Sequence, residues 1–282
     1  MNNSYDNPVS QRLYDKENSR IIYIGEISTP KLWDSLWSMN EFNVMKFLAP
    51  TRGTDKFVKF IDKYLKPTDG IIFEGGCGRG QYVAALERAG YKSIGLDYAK
   101  DTVCLLNKYA PNLDVRLGDL RMIPLPDSSV IGYVSLGVIE HFWDGYDPLA
   151  IEMARILKKG GYLFLSFPYM SPFRILKARL GGYTNRIFSK EPDCFYQFAL
   201  CHNEVIRILK KYGFKVEKKY SQSGLKGILG EIGFLSGVLN LLYSFTGKSI
   251  FIRAIRFGLD KLLTFVGCGH SIMIIFRRYS IS

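Results

Sequence analysis

A glycine-rich turn constrains the fold more than any other part of the chain. An apolar run ends in Glu74, and three glycines follow at alternate positions, Gly76, Gly78 and Gly80. Such a loop turns tightly, and its backbone approaches a ligand closely because no Cβ intervenes. A second apolar run ends in Asp97, which places a carboxylate at the carboxyl end of the next strand, where open parallel sheets bind ligands. Together these features predict a site for a nucleoside held by its ribose.

The residues in this turn also bear on which nucleoside is bound. A dinucleotide fingerprint has the pattern G-x-G-x-x-G, and Gln81 stands where its third glycine would fall. Glu74, inside the turn, would repel a pyrophosphate. S-adenosylmethionine (SAM) carries an ammonium, a sulfonium and a ribose diol but no phosphate. The residues therefore favour SAM over NAD or FAD, and a plain glycine turn that binds nothing is the remaining alternative.

Composition limits the classes of protein that this chain can represent. The 282 residues suit one α/β domain with insertions, or two domains. The five cysteines are scattered and form no C-x-x-C, which argues against disulfides and zinc and favours a cytoplasmic location. Met1 to Arg20 is polar, lacks the signal-peptide pattern and is expected to be a loose arm. The net charge of +12 is spread without long basic runs, so it fits anionic lipid or a phosphorylated substrate as well as nucleic acid.

Apolar periodicity predicts alternating strands and helices from residue 71 onward. The predicted strands cover residues 71–74, 92–97, 113–117, 130–136, 161–168, 214–220 and 271–277. The predicted helices cover residues 31–48, 54–65, 80–89, 99–109, 147–157 and 202–212. Alternation with short connections is typical of a parallel, doubly wound sheet. The predicted fold class is therefore α/β, with a Rossmann-like, doubly wound, seven-stranded and mostly parallel sheet that carries helical cap insertions.

The same pattern divides the chain into six segments. They are an N-terminal arm with cap helices (1–66), a SAM-binding core (67–168), a cap insertion (169–201), a core helix and strand (202–220), an apolar and basic insertion (221–269) and a final core strand (270–282). The first insertion includes a basic amphipathic stretch at residues 172–180.

The second insertion has an unusual composition. Residues 232–247 carry no charge, but they are fewer than the roughly 20 apolar residues that a membrane-spanning helix needs. Residues 250–266 then place apolar side chains on one helical stripe, with Arg253, Arg256 and Lys261 off it. This arrangement suits an interfacial membrane element, a lid over an apolar substrate pocket, or simply additional core. The sequence leaves all three open.

Residues 71–168 resemble a class I SAM-dependent methyltransferase of the small-molecule group that includes the ubiquinone and menaquinone C-methyltransferases. Six segments in the family's order carry the resemblance: 74–80 (Glu-Gly-Gly-Cys-Gly-Arg-Gly), 95–97 (Gly-Leu-Asp), 118–120 (Gly-Asp-Leu), 123–129 (Ile-Pro-Leu-Pro-Asp-Ser-Ser), 135–141 (Ser-Leu-Gly-Val-Ile-Glu-His) and 156–161 (Ile-Leu-Lys-Lys-Gly-Gly). The resemblance is tight over about a third of the chain and extends loosely to residues 209–216.

The resemblance implies roles for the residues that would hold the methionine and ribose parts of SAM. Gly76, Gly78 and Gly80 would wrap the methionine part. Glu74 would face its ammonium group, directly or through water. Asp97 would accept hydrogen bonds from both ribose hydroxyls, a charge-assisted pairing.

Further along the chain, the resemblance implies contacts to the adenine and the ammonium. Asp119 would accept a hydrogen bond from the adenine amino group, and the backbone N–H of Leu120 would donate to a ring nitrogen. A plain exit from strand to loop is the alternative for these two residues. The backbone carbonyl of Leu136 or Gly137 would accept from the ammonium.

Glu140 and His141 are the predicted catalytic residues. In this group a histidine after a glutamate at this place tends to line the acceptor side, and its ordinary pKa would suit removal of a hydroxyl proton. Packing is the alternative for His141, and a solvated position is the alternative for Glu140. Quinone O-methyltransferases of the group use a further glutamate, three residues earlier, to hold a divalent metal. Gly137 stands there, so no metal is expected.

The predicted function is methyl transfer from SAM to O, N or C of a small, lipophilic or lipid-linked acceptor. The expected partners are this acceptor and, for residues 221–269, an anionic membrane surface at the inner face of the membrane. One alternative is a non-catalytic, membrane-associated SAM-fold protein. Another is an RNA methyltransferase, although the sequence has no stacking module for RNA, and nucleic acid is not expected as a partner. The oligomeric state is left open.

Overall fold

The structure of the chain, a computed structural model, describes residues 9–37, 40, 43–232 and 250–279, without the side chains of Ser10 and residues 250–252. The chain divides into two compact units. The insertion unit is the described part of Met1–Glu26, Ser166–Val205 and Lys219–Ile274, and the core unit is the described part of Ile27–Leu165, Ile206–Lys218 and Ile275–Ser282. The six-segment division from the sequence stays a prediction.

The described elements are strands, α-helices and two short 3₁₀ turns. The strands are β1 (Val9–Asp15), β2 (Arg20–Gly25), β3 (Ile71–Gly75), β4 (Lys92–Asp97), β5 (Asp114–Leu117), β6 (Val130–Leu136), β7 (Leu157–Pro168), β8 (Thr184–Asn185), β9 (Phe195–Ala199), β10 (Phe214–Gln222) and β11 (Ser271–Arg278). The helices are α1 (Pro30–Trp37), α2 (Val44–Leu48), α3 (Arg52–Ile61), α4 (Gln81–Arg88), α5 (Lys100–Tyr109), α6 (Asp147–Ile156), α7 (Pro172–Arg179), α8 (His202–Lys211), α9 (Gly224–Leu229) and α10 (Ile250–Phe265). The 3₁₀ turns are Pro67–Asp69 and Ile139–His141.

Seven strands form the larger sheet, in the order β10-β11-β7-β6-β3-β4-β5. Strand β3 pairs in parallel with β4 and β6, and β4 pairs in parallel with β5. Ile72 and Phe73 of β3 are both fully buried, as expected for a central strand of a parallel sheet that is covered on both faces. The predicted doubly wound α/β fold is confirmed. Parallel pairing also brings the carboxyl ends of β3, β4 and β6 to one edge of the sheet.

A second sheet of four strands, in the order β8-β1-β2-β9, lies in the insertion unit. Strand β2 pairs antiparallel with β1 and β9, and β1 pairs in parallel with β8. The prediction of a loose arm over Met1–Arg20 is therefore wrong from Val9 onward. Leu13 in β1 and Ile21 and Ile22 in β2 are buried, so apolar burial holds the hairpin. The insertions thus contain strands as well as the predicted helices.

Two further predictions change in detail. The predicted helix over residues 31–48 is divided into α1 and α2, and Trp37 ends the first of them. Of the uncharged stretch 232–247, only Ile232 lies within the described residues. The amphipathic helix predicted after it is present as α10. None of the described helices is both long and apolar enough to cross a membrane.

A buried ion pair lies at the centre of the insertion unit. Arg174, from the stretch predicted to be basic and amphipathic, is only 1% exposed, and its guanidinium donates to Glu231 at 2.9 Å. Glu231 also accepts from the Tyr183 hydroxyl at 2.6 Å and the Lys177 ammonium at 3.1 Å. Burial opposes ionisation of Glu231, but the charge of Arg174 and the hydrogen bond from Tyr183 hold its pKa below the ordinary value. Removing one partner of such a pair leaves a buried charge uncompensated, so these residues stabilise the unit as a set.

Candidate functional site

The glycine loop connects β3 to α4 in the core unit. Gly76, Gly78 and Gly80 have φ of +74°, +50° and +68°, a left-handed conformation that favours glycine. A Cβ at Gly76 would come within 2.5 Å of a Val138 methyl carbon, and one at Gly78 would come within 2.9 Å of the Trp37 ring. Both backbone conformation and space therefore require glycine at these two positions, as the sequence predicts.

Asp97 ends β4 beside this loop and is only 2% exposed. The backbone N–H of Gly78 donates to its Oδ2 at 2.8 Å, and that of Ala99 donates to Oδ1 at 2.9 Å. Burial raises the pKa of Asp97, and these backbone donors oppose the shift. Because each carboxylate oxygen accepts up to two hydrogen bonds, one position on each remains for a vicinal diol.

Glu74 lies in β3 beneath the loop and is buried. Its Oε2 has no hydrogen-bond partner among the described residues. Burial raises its pKa well above the ordinary value, and the charge of Asp97 adds to the rise. Leaving a buried carboxylate oxygen unpaired is costly, so a cation bound near the loop would offset part of that cost. Direct contact of Glu74 with such a cation stays a prediction.

A pocket of about 820 Å³, counting the open space at its mouth, lies at the carboxyl ends of β3, β4 and β6. The predicted site residues that line it are Gly76, Asp97, Asp119, Leu120, Leu136 and His141. The lining also includes Gly137, the predicted alternative to Leu136 for the ammonium contact. The pocket-lining residues beyond the predicted set are Trp33, Trp37, Tyr98, Gly118, Arg121, Val138 and Phe142. Four predicted site residues do not line the pocket: Glu74, Gly78, Gly80 and Glu140.

Asp119 has a partner that the sequence analysis missed. The Arg121 guanidinium donates to both of its carboxylate oxygens, at 2.6 Å from Nη2 and 3.0 Å from Nε. The Arg121 backbone N–H adds a bond to Oδ1 at 2.8 Å. These hydrogen bonds lower the pKa of Asp119. An adenine amino group would therefore meet a carboxylate already engaged by Arg121, and the adenine contact stays a prediction.

Aromatic side chains form one wall of the pocket. Trp33 and Trp37, four residues apart on α1, have ring centroids 5.6 Å apart. The ring of His141 stands edge-on to Trp33 at 5.0 Å, and the Trp33 indole N–H donates to Ser28 at 3.1 Å. The sequence signal was present, because residues at i and i+4 of a helix share a face. From the sequence alone, the two tryptophans indicate a helix but not a pocket wall.

Glu140 lies in the 3₁₀ turn before His141 and is buried, so the alternative of a solvated position is wrong. Burial raises its pKa to about 8, although backbone hydrogen bonds oppose the shift. Its Oε1 would lie 3.5 Å from a Cβ added to the pocket-lining Gly137, and its Oε2 lacks a hydrogen-bond partner within the described chain. Glu140 therefore sits behind the pocket wall and retains a proton at neutral pH. Its catalytic role stays a prediction.

Candidate metal ligands are not clustered in the described part of the chain. Within residues 9–37, 40, 43–232 and 250–279, no three His, Cys, Asp or Glu side chains are grouped so as to hold a metal ion. The expectation that the reaction needs no metal stays a prediction.

Comparison with known proteins identifies the class. Residues 73–165 match the family described as "Methyltransferase domain". A protein of Mycolicibacterium smegmatis, described as a probable S-adenosylmethionine-dependent methyltransferase, is 34% identical over 151 residues, or 52% of each chain. A Mycobacterium tuberculosis protein with the same description is 34% identical over 97 residues, which are 34% of this chain and 35% of that one. The crystal structure of a SAM-dependent methyltransferase from Methanosarcina mazei aligns with a TM-score of 0.51 at 16% identity, over 78% of this chain and 97% of the other, and shows the shared fold.

The fold, the glycine loop and these matches define a methyltransferase domain. Residues 73–165 are therefore similar to the methyltransferase domain of SAM-dependent enzymes, whose cofactor is SAM. It spans about half the length of the M. smegmatis relative and about a third of the M. tuberculosis relative. The residues present also fit SAM: Asp97 retains acceptor capacity for a diol, the loop has no Cβ to block the ligand, and Glu74 offers an unpaired buried carboxylate oxygen.

Proposed function

We propose that the chain is an enzyme that transfers the methyl group of SAM to an O, N or C atom of a small, lipophilic or lipid-linked acceptor. The observation that carries this proposal is the placement of Asp97. Its carboxylate is fixed by two backbone N–H groups at the wall of a pocket, beside a loop that has no Cβ at its closest approach.

The loop and the strand ends would hold the cofactor. Gly76 and its neighbours would surround the methionine part, Asp97 would take the ribose hydroxyls, and the backbone at Leu120 and Leu136 would receive the adenine and the ammonium. When bound, SAM supplies an electrophilic methyl group on a positively charged sulfur. The chain's main contribution is then to fix the acceptor atom in line with that methyl group, since positioning alone supplies much of the rate of such reactions.

The aromatic wall supports a lipophilic acceptor. Trp33, Trp37 and Phe142 offer large apolar surfaces that exclude water from a bound molecule. His141 lines the same pocket and would take a proton from an O or N acceptor as the new bond forms. Glu140 lies directly behind it and would hold a proton rather than a charge.

The test is an unbiased search for the methylated product. Lipid and soluble extracts would be incubated with the protein and methyl-labelled SAM, and labelled products would be identified by mass spectrometry. We expect a labelled apolar product with the wild-type chain and with Asp114→Ala, which removes an exposed carboxylate of β5, but not with Asp97→Ala. SAM binding with no transfer from any extract would instead favour a non-catalytic protein, and label confined to RNA would favour the nucleic-acid alternative.

A further inference from the structure

Helix α10 of the insertion unit is attached to the protein by a polar face. The Asp260 carboxylate accepts from the backbone N–H of Leu225 at 3.0 Å, and the Thr264 hydroxyl accepts from that of Gly224 at 2.9 Å. A Cβ at Gly224 would overlap the backbone of Leu263 and Thr264, so α9 and α10 are in close contact here. The acidic side chain of α10 is therefore directed inward.

The outward face of α10 is apolar. Large apolar side chains of the helix and of the residue after it are between 47% and 88% exposed; they are Ile255, Phe257, Leu262, Phe265 and Val266. Successive helical residues are turned by about 100°, so Leu262 lies about 200° from both Asp260 and Thr264. A helix on a protein surface normally buries its apolar side and exposes its polar side. In α10 the polar Asp260 and Thr264 contact α9, whereas Leu262 and Phe265 are exposed.

Basic residues accompany this apolar face. Residues 250–266 contain Arg253, Arg256 and Lys261 and one acidic residue, Asp260. Arg253 and Lys261 are exposed, and the Lys261 ammonium lies 5.6 Å from the centre of the Phe257 ring. An aromatic ring beside a cation at the edge of an apolar face is typical of helices that lie in a bilayer interface, where the ring enters the acyl region and the cation meets the headgroups.

A second helix of the same unit continues this pattern. The backbone N–H of Phe173, at the start of α7, donates to the carbonyl of Gly267 directly after α10, at 3.1 Å. Leu176 and Leu180, in and directly after α7, are also exposed, and so is Arg179. Exposed apolar area of this extent usually marks an interaction surface, and the excess of basic residues selects an anionic one.

We propose that α10 binds the interface of an anionic lipid bilayer, with Leu262 and Phe265 in the acyl region and Lys261 at the phosphates. The helix lies in the membrane plane, since none of the described helices has the length and apolarity to span a bilayer. This binding goes beyond methyl transfer and is independent of it. Among the three roles that the sequence leaves open for residues 221–269, the exposed side chains of α10 support the membrane surface.

Flotation of the full chain with vesicles tests the proposal. We expect binding to phosphatidylcholine mixed with phosphatidylglycerol, little binding to phosphatidylcholine alone, and loss of binding as salt rises. Leu262→Ser with Phe265→Ser should weaken binding at least about tenfold, since burial of two large side chains is lost. Lys261→Gln should weaken it about fivefold. Ile151→Ser, which removes an exposed apolar residue from α6, is the matched control and should bind like wild type.

Three outcomes would overturn the proposal. The first is absence of flotation with anionic vesicles, and the second is equal flotation of wild type and the Leu262→Ser, Phe265→Ser variant. The third is a wild-type protein that does not bind vesicles but forms a concentration-dependent dimer, which the double variant does not form. That result would assign the surface to a second copy of the chain. Because Leu262 and Phe265 are exposed, unfolding curves of the variant should match those of wild type. A large loss of stability without vesicle binding would mean that the chain itself covers this face.

Discussion

Replacing Asp97 by alanine should weaken SAM binding by about 1.5–3 kcal/mol, or roughly 10- to 150-fold in Kd. The magnitude follows from the contacts of the carboxylate. Its oxygens already accept the N–H groups of Gly78 and Ala99, at 2.8 and 2.9 Å, so about one further bond per oxygen is available to the ribose. A hydrogen bond to a charged acceptor contributes about 1.5–3 kcal/mol, so the predicted weakening corresponds to the net loss of one such bond.

The same substitution has a cost for the empty protein that must be separated from the loss of binding. Two buried N–H donors lose their acceptor, at about 1–3 kcal/mol each. Part of this is offset, because burial disfavours the charge of Asp97 in the first place. Urea unfolding would therefore be measured beside calorimetric titration with SAM and with S-adenosylhomocysteine. Asp114→Ala serves as the control on exposed carboxylates. A folded Asp97→Ala protein with an unchanged Kd, or a wild-type protein that binds NAD as well as SAM, would refute the assignment.

Three further substitutions test the site. Gly78→Ala should weaken SAM binding at least about tenfold, because its Cβ would press on Trp37. Gly90→Ala is the control, since Gly90 has a similar positive φ but open space around it. This control should lose about 1–2 kcal/mol of stability and keep the Kd for SAM unchanged. Equal Kd values for the two variants would contradict the steric argument. Burial raises the pKa of Glu140 from 4.5 to about 8, so the folded state holds this proton more tightly than the unfolded state. The free energy of unfolding is therefore highest below pH 4.5 and falls as the pH rises toward 8. The total decrease is on the order of 5 kcal/mol at most. Unfolding curves of Glu140→Gln should lack this decline, and an unchanged slope would place the titration elsewhere. His141→Ala should lower turnover about 10²–10⁴-fold with little change in SAM affinity, and activity should be insensitive to a chelator. A rate close to that of wild type would assign His141 a packing role.

The larger sheet could be predicted because its signals are local. Each strand is a short apolar run, the glycine turn joins two neighbouring elements, and the order of elements determines how parallel strands are connected. The predicted strand 130–136 coincides with β6. The four-stranded sheet was missed for the opposite reason: strands β1 and β2 pair with β8 and β9, which lie more than 150 positions further along the chain. Apolar periodicity contains no information about such distant pairing.

The candidate site was predicted in part. The positions of Asp97 and Gly76 follow from where a parallel strand ends, so the sequence placed them at the pocket. The hydrogen bonds from Arg121 to Asp119 could not be predicted, because a sequence pattern does not show that an exposed basic side chain turns back to a carboxylate two positions earlier. Glu74 and Glu140 are both buried and lie outside the pocket lining, and the contact of Glu74 with the ammonium and the catalytic role of Glu140 stay predictions. Sequence position identifies the strand end that carries a carboxylate but not the side of the backbone to which it turns.

The hairpin of β1 and β2 has a consequence for how the chain is synthesised. Its two strands occupy the middle of their sheet, so both outer edges are covered only by β8 and β9. Residues 26–183 must leave the ribosome before either covering strand exists. During that interval the hairpin presents two open edges and the apolar side chains of Leu13 and Ile21 to other nascent chains. Open edges of this kind are templates for strand addition between molecules, and the risk ends only when the covering strands pair. Slowing translation before β8 and β9 have emerged from the ribosome should therefore increase aggregation of the nascent chain, whereas slowing it afterwards should not.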